Sequence, residues 1–145
     1  LPLPVRADAA GLEQILMNLV RNASDATRNG GEIRVVTRRA GATEVARLTE
    51  FAAQAGGAIR LEVADSGVGM DAEVQAHLFE PFFTTKPPGE GTGLGLASVY
   101  GIVQQCGGAI QVESAAGRGA SFRVYLESAG LAPKSSPPTR SDGAA

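Results

Sequence analysis

Tryptophan is absent from this chain, cysteine and histidine occur once each, and aromatic residues make up only 5% of it. Each scarcity excludes something. A lone Cys106 allows no disulfide within the chain, and with His77 as the single imidazole no Cys/His metal cage can be assembled. No apolar run approaches the roughly 18 residues of a membrane span, and no signal peptide opens the chain. A dominant charge is missing too. The net charge of −2 argues against nucleic acid or an anionic membrane surface as the main partner. What is present is a globular balance, with 43% hydrophobic and 19% charged residues, too apolar for a disordered chain. The 145 residues suit one domain, since domains take roughly 100–200 residues. Opening on Leu1, the chain reads as a piece of something longer. Glycine is the informative abundance: 19 residues, several clustered, point toward binding loops built from backbone.

The pattern along the chain predicts an α/β layer, about five strands with helices covering one face. Leu12, Ile15, Leu16, Leu19 and Val20 follow the stripe of an amphipathic helix over residues 8–29. Asp8 is its expected N-cap, and Asn29, Gly30 and Gly31 stop it. Residues 33–39 and 59–64 alternate as strands, with Ile33, Val35 and Thr37 sharing a face of the first. The connection between them is long, and Val45, Leu48, Phe51, Ala52 and Ala55 suggest a short helix within it. A short helix capped by Asp71 is expected over 71–78 and another over 96–106. Residues 110–114 and 120–126 then read as two strands joined by a hairpin. Residues 1–128 are taken as the domain and 129–145, rich in Pro, Ser and Gly, as a flexible tail or linker.

Three clusters carry chemistry. Asn18, Asn22 and Asp25 stand at i, i+4 and i+7, within roughly 60° of one another on a helix turning about 100° per residue. They flank the apolar stripe and offer hard oxygen ligands of the kind Mg²⁺ uses beside water and phosphate, although a solvated polar face has the same pattern. Asp65, Ser66, Gly67, Val68 and Gly69 follow a strand directly. A carboxylate there can accept from a ligand amine while the glycines let backbone approach the ligand closely. The same stretch, Gly67 to Ala72, also fits the dinucleotide fingerprint G-x-G-x-x-A. That reading wants a long helix and a second parallel strand, and residues 79–83 are not a strand. Gly91, Thr92, Gly93, Leu94 and Gly95 precede a helix, whose free N–H groups and positive dipole end suit phosphate. Lys86, upstream in the same loop, adds a positive charge.

In this order the residues resemble the catalytic ATP-binding domain of bacterial sensor histidine kinases, the fold shared with gyrase, the Hsp90 chaperones and the MutL mismatch-repair proteins. Residues 18–26 (NLVRNASDA) look like the family's N box, 65–69 (DSGVG) its G1 box, 79–86 (FEPFFTTK) its F box and 91–96 (GTGLGL) its G2 box. The resemblance covers about residues 3–127, and the short stretch from Lys86 to Glu90 is similar to the lid of the nitrogen-regulator-type and hybrid branch. It implies a two-layer α+β sandwich of the Bergerat type, with a mixed sheet of about five strands and helices on one face.

The resemblance also implies roles. Asn22 coordinates the Mg²⁺ that bridges the ATP phosphates, with Asn18 nearby. Asp65 accepts the adenine amino group, and Gly67 and Gly69 shape the adenine pocket. Gly91, Gly93 and Gly95 form the lid hinge and contact phosphates, Thr92 and Leu94 bind ATP beside them, and Lys86 is a phosphate partner. Ser121 supports the adenine end, although Ala120 stands where the family often has Thr or Ser. ATP-hydrolysing relatives carry a Glu four residues before the Mg²⁺ Asn to activate water. This chain has Asn18, whose amide cannot act as that base. The expected activity is therefore protein histidine kinase. The domain hands the γ-phosphoryl of Mg²⁺-ATP to a histidine on a separate dimerisation domain of the same parent, with a response-regulator receiver downstream. His77 lacks the acceptor's acidic neighbour and reads as a surface residue. Nucleic acid and membrane are not expected partners, and the expected location is cytoplasmic whether or not the parent is membrane-anchored. The alternatives are a water-activating ATPase of the same fold and a degenerate nucleotide-binding interaction module.

Overall fold

The computed structural model describes Val5 and residues 7–48, 57–84 and 93–128. The first helix, α1 (Ala9–Ala26), begins where the Asp8 carboxylate accepts from the Gly11 amide at 2.6 Å. It ends at Thr27, whose hydroxyl bonds back to the Ala23 carbonyl. Strand β1 (Ile33–Arg39), the short helix α2 (Ala42–Ala46) and β2 (Ala58–Asp65) follow. Next come α3 (Ala72–Ala76), capped by Asp71 through a 2.9 Å bond from the Val74 amide, and α4 (Gly95–Gln105). The hairpin of β3 (Ala109–Ser114) and β4 (Ala120–Glu127) completes the fold.

The four strands form one sheet in the order β1-β2-β4-β3, and every neighbouring pair is antiparallel. The two-layer α+β architecture expected from the sequence is therefore present. Its sheet has four strands among the described residues rather than about five, and it is antiparallel rather than mixed. The only other ladder contact described is a single antiparallel bridge between Val5 and Ser128. Antiparallel pairing of β2 on both sides also removes the dinucleotide-fingerprint reading, which needs a parallel neighbour.

One apolar layer holds the helices to the sheet. Ile15, Leu19 and Ala23 of α1 and Val99 and Val103 of α4 pack with Leu61 and Val63 of β2 and Phe122, Val124 and Leu126 of β4, all buried. Each of these side chains larger than alanine contributes on the order of 1.5–3 kcal/mol by leaving water. Not every helix lies on that face. Leu48, just after α2, packs with Ala58, Ala109 and Tyr125 on the opposite side of the sheet. Glu44 of α2 binds that outer face as well, accepting from the Tyr125 hydroxyl and from Arg60, each at 2.7 Å. The long connection does hold a short helix, but it lies earlier than expected: α2 contains only Val45 of the expected stripe and ends before Leu48. Phe51, Ala52 and Ala55 lie outside the described residues, as does the expected tail.

Candidate functional site

The antiparallel register brings the ends of three strands together, because Asp65 at the end of β2 pairs with Ala120 and Ala120 pairs with Ser114. Asp65 shares the helix-side face with Leu61 and Val63, since side chains alternate along a strand. Its Oδ1 accepts from the Gly67 amide at 2.8 Å, so the carboxylate is held by the turn it opens. Gly67 is required by proximity: a Cβ there would lie 2.2 Å from the Ala26 carbonyl oxygen at the end of α1. The neighbouring Val68 amide donates to that same carbonyl at 3.2 Å. Gly69 stands against the Ala115 carbonyl of the β3–β4 hairpin, and Gly119 of that hairpin against the carbonyl of Asp65.

Asn18 and Asn22 are half-buried on one flank of α1, and neither side-chain amide has a hydrogen-bond partner among the described residues. A Cβ placed on Gly95 would lie 3.7 Å from Asn18 Oδ1, so the start of α4 faces this flank. Gly93 has φ +73°, and a Cβ there would lie 2.4 Å from the Phe82 carbonyl carbon. The Gly93 carbonyl accepts from the Phe82 amide at 2.9 Å. Leu94 is the N-cap residue of α4 and supplies no side-chain cap, leaving the first amides of the helix without one. Phe79 stacks on Tyr100 of α4 with ring centroids 5.3 Å apart, a second tie between the F-box stretch and that helix.

The fold thus joins Asn18 to Gly95, Ala26 to Gly67, Phe82 to Gly93 and Asp65 to Gly119. Four motifs scattered over residues 18–96 meet along one edge of the helical layer. Lys86, Gly91 and Thr92 lie outside the described residues.

Ser121 requires a correction. Its neighbours Ala120 and Phe122 face the helices, so its own side chain points to the outer face of the sheet, where the hydroxyl donates to Glu62. There it belongs to a chain of ion pairs. Glu62 accepts from Arg123 at 3.0 Å and from Arg60 at 3.0 Å, and Arg60 and Arg38 both pair with Glu44. Burial opposes ionisation of Glu44, but the hydrogen bonds from Tyr125 and Arg60 prevail and hold its carboxyl at about 2. Burial likewise opposes ionisation of Glu62, and Ser121 and Arg123 overcome it, so that carboxyl also lies below the usual range.

Two residues that sequence reasoning missed lock the G1 turn. The Ser114 hydroxyl accepts from the Met70 amide at 2.9 Å and donates to the Gly119 carbonyl at 2.7 Å. The Gln75 side-chain Nε2 donates to the carbonyls of Met70 and Ser114. A polar residue closing a strand is the only signal Ser114 gives, and that signal is common. His77 caps α3, is exposed and bonds Glu80 at 2.8 Å through Nδ1, which matches a surface role. A cavity of about 570 Å³ lies elsewhere, between the start of α1 and the end of α4 near Asp8, Gln14 and Cys106, and contains none of the motif residues.

An antiparallel sheet under two helices thus carries a half-buried Asn pair and glycine turns gathered at one edge. The family model described as "Histidine kinase-, DNA gyrase B-, and HSP90-like ATPase" matches residues 7–130. The chain is similar to the sensor kinase CckA of Brucella abortus, 45% identical over 123 residues that make up 85% of this chain and 13% of that protein. Among solved structures it is similar to the mycobacterial sensor histidine kinase MprB, with TM-score 0.68 and 26% identity over 86% of this chain and 76% of that one. It is also similar to full-length ShkA in complex with AMPPNP, with TM-score 0.67 and 33% identity over 88% of this chain and 24% of that one. The chain belongs to the histidine kinase-, gyrase B- and HSP90-like ATPase family, as an ATP-binding domain of the histidine kinase type. It spans only a small part of the curated relatives it matches, 13% of CckA and 23% of the sensor histidine kinase ZraS of Klebsiella oxytoca.

No helix among the described residues is long and apolar enough to cross a membrane.

Proposed function

We propose that this domain binds Mg²⁺-ATP and donates the γ-phosphoryl to a histidine on a separate dimerisation domain of the same parent protein, in the cytoplasm, with a response-regulator receiver downstream. The observation that carries the reading is the convergence of Asn18, Asp65 and Gly93 to Gly95 on one edge of the fold. The full-length relative ShkA, solved with AMPPNP, supports it from outside the chain.

Each residue then has a task. Asp65, pinned through Oδ1, turns Oδ2 to the adenine amino group, while Gly67 and Gly69 shape the pocket by letting the turn pack against Ala26 and Ala115. The amides at Gly93, Leu94 and Gly95 meet the phosphates at the positive end of α4. Gly91 and Thr92 extend that cradle, and Lys86 adds charge. The amide oxygens of Asn18 and Asn22, without a partner among the described residues, fit a divalent cation held mainly by phosphate and water, to which Asn22 contributes one protein ligand. Bound there, Mg²⁺ neutralises charge developing on the phosphates. Transfer forms a bond from the acceptor imidazole nitrogen to the γ-phosphorus and breaks the bond to the β-phosphate oxygen, so ADP leaves with that electron pair. An amide at Asn18 cannot take a proton from water, which favours a protein acceptor over hydrolysis.

Calorimetric titration with Mg²⁺-ADP and a non-hydrolysable ATP analogue tests the site. Saturable binding is expected in the natural chain, lost in Asp65→Asn and less Mg²⁺-dependent in Asn22→Ala. A folded chain that binds neither nucleotide would overturn the reading. Transfer of label from γ-³²P-ATP to an added dimerisation domain, absent when its histidine is replaced, tests the acceptor.

A further inference from the structure

The outer face of the sheet, away from the helices, has a chemistry of its own. There the register sets Arg34, Ala64, Ser121 and Glu113 in one row, with Glu62 and Arg123 side by side in the next. A chain of alternating charges crosses these rows. Arg38 pairs with Glu44, Glu44 with Arg60, Arg60 with Glu62, Glu62 with Arg123 and Arg123 with Glu113, all at 2.7–3.1 Å. Three arginines meet three carboxylates, so this chain is balanced within itself. Beside it, a cavity of about 370 Å³ lies over the small Ala64, between Arg34 and Ser121 of its row, and is also lined by Glu62, Arg123 and Arg118. Arg34 and Arg118 border the cavity but stand outside the chain, and neither has an ion-pair partner among the described residues. Both are fixed at the backbone. Arg34 pairs with Ala64 across the ladder, and the Arg118 amide donates to the Ala115 carbonyl at 2.9 Å within the β3–β4 hairpin. The bordering carboxylates are already engaged. Glu62 accepts from Arg60, Arg123 and Ser121, and Glu113 accepts from Arg123. Asp65 turns its carboxylate to the helix side, where Oδ1 accepts from Gly67. The two arginines are thus the excess charge of the cavity.

We propose that this outer-face cavity binds a phosphate group, free or as the monoester of a small molecule, between the guanidiniums of Arg34 and Arg118. Two excess positive charges call for a dianion. Each guanidinium is a planar fork that engages two oxygens at once. One carboxylate satisfies one fork, whereas a phosphate has oxygens to spare for a second. Arg123 closes the wall without adding free charge, because its Nε is spent on Glu62 and its Nη2 on Glu113. The ion-paired chain also keeps Glu62 and Glu113 from repelling the anion, since each carboxylate already faces an arginine. The cavity opens on the opposite face of the sheet from the Asp65 carboxylate, and nothing in it draws on the nucleotide reading.

The test titrates the ¹⁵N-labelled 145-residue chain with inorganic phosphate, glycerol phosphate and succinate, reading the arginine Nε–H signals. Saturable shifts at both Arg34 and Arg118 are expected with the two phosphates. Phosphate captured at the glycine turns instead would move the amides of residues 93–95 and leave these two signals still. Arg34→Gln and Arg118→Gln, with otherwise unchanged spectra reporting an intact fold, should each weaken binding roughly tenfold, the low end for a hydrogen bond to a charged group. Arg47→Gln, which removes an exposed charge outside the cavity, should leave binding unchanged. Tighter binding of glycerol phosphate than of inorganic phosphate assigns the site to a monoester, the converse assigns it to the free ion, and each upholds it. Four outcomes overturn the proposal. They are no saturable shift at the two arginines, a response at only one of them, equal weakening by Arg47→Gln, and succinate binding as tightly as phosphate.

Discussion

The amide of Phe82 donates to the carbonyl of Gly93 at 2.9 Å, fastening together the two ends of the stretch from 83 to 92. This bond makes the F box and the G2 box one structural unit. It needs the left-handed backbone at Gly93, with φ +73°, and the absence of a side chain that would meet Phe82.

Gly93→Ala is therefore expected to open that fastening. Left-handed backbone costs a residue with a Cβ roughly 1–2 kcal/mol, before any clash is relieved. Affinity for a non-hydrolysable ATP analogue should fall about tenfold or more, which is the same free energy expressed as binding. Calorimetry reads the affinity, and circular dichroism confirms the fold.

Gly67→Ala probes the other junction. A methyl group 2.2 Å from the Ala26 carbonyl oxygen must push α1 and the G1 turn apart. Overpacking of this kind costs about 1–3 kcal/mol. The urea midpoint should drop accordingly, and an unchanged midpoint would mean the two segments separate freely.

The outer-face ion pairs predict an acid-sensitive stability. Folded Glu44 holds its carboxyl at about 2 against an ordinary 4.5, so it binds its proton less readily folded than unfolded. The stability it supplies is fully present above pH 4.5 and is lost as pH falls toward 2. Glu62 acts in the same direction. Glu44→Gln should flatten this acid limb in denaturant titrations. Tyr125→Phe, which removes one of the donors to Glu44, should move the limb to higher pH.

Asn18→Glu tests whether position 18 is where water would be activated. It faces Gly95 at the start of α4 and has no partner among the described residues that would hold it away. A carboxylate there should raise Mg²⁺-ATP hydrolysis by the isolated chain about a hundredfold, the low end of general-base effects. Unchanged hydrolysis in a variant that still binds nucleotide would place the base position elsewhere.

Legibility in the sequence followed how local the physics was. Asp8 and Asp71 were readable as caps because a cap needs only its own next three residues. The four boxes were readable because glycine and amide patterns survive without knowledge of the fold. The alternation in β1 was visible, but Val36 is half-buried while Ile33 and Val35 are exposed, because β1 is the edge strand, a fact that only the sheet order supplies. Ser121 failed for a related reason. A shift of one residue along a strand changes its face, and Ala120 rather than Ser121 lies beside Asp65. The second layer of contacts around Glu44 was illegible, since its partners Arg60 and Tyr125 come from distant parts of the chain.

The pairing of β2 with β4 has a consequence for synthesis. Asp65 is made early, yet the strand beside it, beginning at Ala120, is nearly the last part of the fold to be translated. Gly119 must also arrive before the turn after Asp65 has its neighbour. A ribosome-bound chain that has reached only α4 holds the asparagines and the glycine turns without the central strand that aligns them. Pairings between segments so far apart are intrinsically slow to form, because the loop must close before the contacts reward it. ATP capture by a nascent chain should thus begin only when β4 clears the exit tunnel, making nucleotide binding a report that translation of the domain is complete.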